Sequence, residues 1–115
     1  MTLGEKQRLF TKLIAKLIQW AYTNGLELSF GDAYRDPRVH GGLGRKVGYS
    51  SSNSNHKRRL AIDLNLFVDG VYQTKTSAYT EMGNYWMGLH DLCEWGGFGA
   101  RSDGNHFSFK HEGRW

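Results

Sequence analysis

Apolar residues recur at helical spacing along the first segment of the chain. Phe10, Leu13, Ile14, Leu17 and Ile18 form one stripe, which predicts an amphipathic helix from about residue 3 to residue 23. Thr2 followed by Glu5 fits a capping box at its start, and Asn24-Gly25 supplies a C-terminal stop. The period then changes to two. Leu26-Glu27-Leu28-Ser29-Phe30 alternates and predicts a strand. From Ala61 to Val68 the chain alternates again, with Ala61, Asp63, Asn65 and Phe67 on one face and Ile62, Leu64, Leu66 and Val68 on the other. Asp69-Gly70 predicts a hairpin turn, and Val71-Tyr72-Gln73-Thr74 returns as the partner strand. Helical spacing reappears from about 79 to 94, where Met82, Trp86, Leu89 and Cys93 share a face and Gly96-Gly97 ends the run. The stretch from Asn105 to Lys110 reads as a last short strand, followed by a basic tail to Trp115. Residues 38–55 are rich in Gly, Ser and Asn and read as one long irregular loop, a kind of segment that often carries function.

These elements predict an α+β domain, a small antiparallel sheet with helices packed to one side. At 115 residues the chain is expected to be one domain spanning 1–115, with a single modest core. Hydrophobic content of 39% is enough for a packed globule. Fifteen glycines, well above the usual ~7%, point to many tight turns. The one cysteine, Cys93, cannot form an internal disulfide and reads as a small buried apolar residue. The N-terminal residues lack the apolar run of a signal peptide, and no stretch is long enough to span a membrane. A cytoplasmic protein without membrane insertion is expected. A net charge of +4 suits a polyanionic partner, either nucleic acid or an anionic cell wall.

Two separated stretches concentrate the chemistry: Ser54-Asn55-His56-Lys57-Arg58-Arg59-Leu60-Ala61-Ile62-Asp63 and Asp103-Gly104-Asn105-His106-Phe107. Asp63 is an acid on an otherwise apolar strand. Burying it unpaired would be costly, so it calls for a metal or an arginine. In the last strand His106 and Ser108 face one way while Phe107 and Phe109 face the core. Two histidines and a carboxylate could close on a single Zn2+ ion and leave a fourth position open, with Asp103 as a further carboxylate near it. Asp103 reads alternatively as part of a Ser-Asp-Gly turn.

The pattern S-x-H-x6-D followed by D-x-x-H resembles the zinc metallopeptidases of the VanY and VanX type, D-alanyl-D-alanine carboxypeptidases and dipeptidases. It is most similar to the L-alanyl-D-glutamate peptidases of phage endolysins. Ala33-Tyr34-Arg35 resembles the Gly-Tyr-Arg segment of that family. The resemblance implies a DD-peptidase/hedgehog-like zinc fold. It implies His56, Asp63 and His106 as zinc ligands, Asp103 as general base, and Arg35 as the group that meets substrate and transition state. Ser54 and His40 are further substrate-side candidates. The implied function is hydrolysis of an amide bond in the stem peptide of bacterial peptidoglycan, L-Ala-D-Glu or D-Ala-containing. The enzyme would be a monomer that acts on the wall after release from the host cytoplasm.

Arg59 departs from the pattern, since the family usually has glycine three residues after the first histidine. Two other readings stand beside the enzyme. One is a non-catalytic wall-binding or virion-associated module with the same fold and a structural zinc. The other is a nucleic-acid binder using Arg35, Arg38, Arg45, Lys46, Lys57, Arg58 and Arg59, although no nucleic-acid motif accompanies these cations. His90, in the second helical run, and His111, in the tail, read as structural. Trp95 reads as core packing or as an edge of the cleft.

Overall fold

The computed structural model describes residues 1–33, 55–99 and 102–111. Helix α1 spans Leu3–Thr23 and is closed at its start by the capping box. Thr2 Oγ1 accepts from the Glu5 amide at 3.1 Å, and Glu5 Oε1 accepts from the Thr2 amide at 2.9 Å. Its buried face is Phe10, Leu13, Ile14, Leu17 and Ala21; Ile18 is half-buried at the edge of the stripe.

Among the described residues five strands form one antiparallel sheet: β1 (Glu27–Phe30), β2 (Ala61–Val68), β3 (Val71–Tyr72), β4 (Cys93–Trp95) and β5 (His106–Phe109). The order is β1-β2-β5-β4, and β3 pairs with the far end of β2. Asp69 and Gly70 both adopt positive φ, 51° and 77°, as a two-residue hairpin turn with a right-handed twist demands. Residues 76–79 form a short 3-10 turn leading into α2 (Thr80–Leu89). Both helices pack on one face of the sheet. There Leu17, Leu64, Leu66, Trp86, Phe107 and Phe109 are almost fully buried. Phe10 meets Trp86 and Phe109 edge-on, with centroids 5.7 and 5.3 Å apart. The sheet's alternation therefore works as expected: Ile62, Leu64 and Leu66 face the helices, which leaves Ala61, Asp63 and Asn65 for the opposite face.

The second helix is shorter than the sequence suggests. It stops at Leu89, and His90 is extended at φ −164° and ψ 151°. His90 Nδ1 accepts from the Leu92 amide at 3.0 Å, and the His90 carbonyl accepts from the Cys93 amide at 3.0 Å, which closes a turn. Cys93-Glu94-Trp95 then runs as β4 against β5. Cys93 fits the helical face only through i, i+4 spacing. The alternation of Cys93 and Trp95 about Glu94 was the competing signal, and pairing to β5 decides it. Gly96-Gly97 accordingly ends a strand rather than a helix.

Candidate metal centre

The site is built on the open face of the sheet. Register places Asp63 of β2 directly opposite His106 of β5, so both side chains leave the same face. His56 comes from the 3-10 turn Asn55–Arg58 just before β2. Gln7 of α1 fixes that turn by donating to the Arg58 carbonyl at 2.7 Å. His56 is 1% and His106 5% exposed, and the Asp63 side chain 17%.

Three donor atoms converge. His56 Nε2 lies 3.2 Å from His106 Nδ1, and each of these nitrogens lies 3.3 Å from Asp63 Oδ1. The triangle is nearly equilateral. Donors about 2.0–2.1 Å from a tetrahedral zinc ion stand roughly 3.3–3.4 Å apart, so the set fits such an ion. The tautomer of His56 also fits. Its Nδ1 is 2.9 Å from the Ala33 carbonyl, which can only accept, so Nδ1 carries a proton; without an ion Nε2 can donate to Asp63, and in the neutral ring it offers its lone pair to a metal. Burial pushes the Asp63 carboxyl up, but hydrogen bonds and charge from His106 and His56 outweigh it and bring its pKa down to about 2. The carboxylate is therefore ionised and ready to act as a ligand at neutral pH.

Two glycines that sequence reasoning did not connect with the site flank it. Gly31 donates to the Asp63 carbonyl at 2.8 Å, and Gly96 donates to the His106 carbonyl at 2.8 Å. The row across the sheet thus reads Gly31, Asp63, His106, Gly96. A β-carbon at Gly31 would stand 3.0 Å from that of Asp63. One at Gly96 would stand 2.8 Å from His106 Cβ and would overlap the Asp103 carbonyl oxygen. No local pattern marks either glycine, because the contacts exist only once the strands are in register.

Asp103 is exposed, on the turn that leads into β5. Its Cβ would lie 3.1 Å from a β-carbon at Gly96, as His106 Cβ would lie 2.8 Å from it, so the two side chains start within about 6 Å of each other on one face. Arg35, His40 and Ser54 lie outside the described residues. Arg59 is exposed and adopts φ 58°, the left-handed conformation that glycine takes without penalty. That backbone geometry suits the glycine that the sequence resemblance leads one to expect at this position. The arginine lines a groove with Phe30, Ala33 and Ala61.

The remaining titratable groups have other surroundings. His90 stacks on Phe109 at 5.7 Å. Lys6 Nζ lies 3.1 Å from His111 Nδ1, where it donates. Burial pushes the Cys93 thiol up to about 12, which keeps it protonated and inert as a nucleophile. Among the described residues no helix is long and apolar enough to cross a membrane.

A family model described as D-alanyl-D-alanine carboxypeptidase matches residues 48–109, more than half of the chain. The match contains His56, Asp63, Asp103 and His106. The chain therefore belongs to this peptidase family. No match to a curated protein was found.

Proposed function

We propose that the protein is a zinc-dependent peptidoglycan peptidase that hydrolyses an amide bond of the stem peptide, in the manner of phage endolysins. The observation that carries this reading is the triangle of His56 Nε2, Asp63 Oδ1 and His106 Nδ1, with edges that suit a tetrahedral ion. His56, Asp63 and His106 hold the metal, and Ala33 keeps the His56 lone pair aimed at it. When bound, zinc would polarise the scissile carbonyl and lower the pKa of a coordinated water to roughly 7. Asp103 takes the proton of the attacking water and returns it to the departing amine. Arg35 meets the substrate carboxylate or the developing oxyanion as a charge-assisted donor. The basic charge of the chain draws it to the anionic wall. In this reading the enzyme acts on the wall after release from the host cytoplasm.

The test is digestion of purified peptidoglycan with and without chelator, with mass spectrometry of the released fragments. New amine termini that vanish with chelator and return with zinc are expected, and the fragment masses identify the bond. Asp103→Ala should keep zinc and wall binding while amine release falls by about 10²–10⁴-fold, the usual loss when a positioned base is removed. Equal release from the variant and the wild type would make Asp103 a turn residue. Release from neither would favour a non-catalytic wall-binding module.

A further inference from the structure

Asp103 is an exposed residue, yet its backbone is held at both polar points. Its amide donates to the Gly96 carbonyl at 3.2 Å, and its own carbonyl accepts from the His106 amide at 3.1 Å. The next carbonyl along, that of Gly104, accepts from Trp95 Nε1 at 2.6 Å, the shortest of these bonds. Trp95 is 4% exposed. Its indole lies flush against backbone on two sides, because a β-carbon at Gly83 of α2 or at Gly97 would overlap the ring. Gly104 is equally confined: a β-carbon there would stand 2.8 Å from Thr76 Cα.

From this arrangement we infer that Trp95 is a positioning residue for Asp103, acting through the bond from its indole N–H to the Gly104 carbonyl. The inference rests on Asp103 serving as the base. Aspartate has a short side chain, so its reach to the substrate water is set by where its backbone stands. A misplacement of about 1 Å at a reacting group can cost about 10²-fold. The indole fits this task because a ring slotted between Gly83 and Gly97 cannot rotate to another acceptor. Trp95 faces the helices, on the opposite side of the sheet from the metal ligands. Its effect on the site therefore passes through the 102–105 turn and not through contact with substrate or metal.

The experiment compares the wild type with Trp95→Phe and with a protein in which the Trp95 indole is replaced site-specifically by benzothiophene. The second keeps the volume and removes only the N–H, so a failure of Trp95→Phe to fold leaves the question answerable. Zinc content, melting temperature, amide exchange and peptidoglycan hydrolysis are measured on each. For the benzothiophene protein we expect full zinc content and an unchanged KM. We also expect kcat lower by about tenfold, and exchange at the Asp103 and His106 amides faster by at least tenfold, with Leu13 and Leu17 in the interior of α1 unaffected. Unchanged exchange at Asp103 and His106 would overturn the inference whether or not hydrolysis is detected. So would a kcat equal to that of the wild type while Asp103→Ala is inactive. Full activity of Asp103→Ala would instead strike at the reading of Asp103 as base, and unlocked exchange would then assign Trp95 to holding the turn alone.

Discussion

Asp63 is the residue on which the most opposing forces meet. Burial disfavours its charge, while two imidazoles favour it, and the balance leaves the folded pKa near 2 against an ordinary 3.8. A folded pKa below the unfolded one means the ionised form stabilises the fold. In metal-free protein that contribution is complete above about pH 4 and disappears as pH falls through 2, and it amounts to about 2 kcal/mol. Urea unfolding of metal-free wild type and Asp63→Asn at pH 5, 3 and 2 checks this. The difference between the two should shrink by about that amount across the window, and a constant difference would contradict it. Arg59 presents the reverse case, a side chain retained at an unfavourable backbone angle. Arg59→Gly should relieve a left-handed cost of roughly 1 kcal/mol, partly offset by the greater freedom of glycine in the unfolded chain. A net gain of about 0.5 kcal/mol in thermal unfolding is expected. A clear loss would mean the arginine's side-chain contacts outweigh its backbone geometry.

At the scale of elements, the site depends on strand register. Asp63 and His106 face each other because β2 and β5 pair antiparallel at that residue, and a slip by one would send the two side chains to opposite faces of the sheet. The outer strands accommodate the pair only through glycine. Gly96→Ala should be severe, because the added methyl meets Asp103 backbone, which cannot rotate aside as a side-chain tip can. We expect a loss of about 2 kcal/mol or more, in the range of overpacked interiors, with zinc affinity falling as His106 is displaced. Gly31→Ala has 3.0 Å to the Asp63 β-carbon and should cost less. Equal stability of Gly96→Ala and wild type in denaturant, with equal zinc affinity by competition titration, would refute the close packing of this row.

For the whole molecule, zinc and folding should be linked, because the three donors come from separate parts of the chain and meet only in the folded state. At a free zinc concentration of 100 times Kd the stabilisation is about 2.7 kcal/mol. For a domain of this length that raises Tm by roughly 10 °C. Calorimetry with zinc and with chelator measures it. His106→Ala should abolish the shift, and a variant whose Tm still rises with zinc would place the ion elsewhere.

Much of this could be read from residue order. The period-3.6 stripe of α1, the alternation of β2 and the Asp69-Gly70 turn are local patterns, and local sterics and solvation decide them without help from the rest of the fold. The spacing of His56, Asp63, Asp103 and His106 likewise names the residues capable of the chemistry, since only certain side chains can ligate a metal or move a proton. Tertiary structure decided the remainder. Cys93-Glu94-Trp95 became a strand because β5 offered hydrogen bonds that outweigh a helical continuation. Gly31 and Gly96 gained their importance from register, and Trp95 from a bond to a carbonyl nine residues away. Each of these contacts is made to backbone groups that the packed core brings together, and a chain's own order of residues carries no local signature of such contacts.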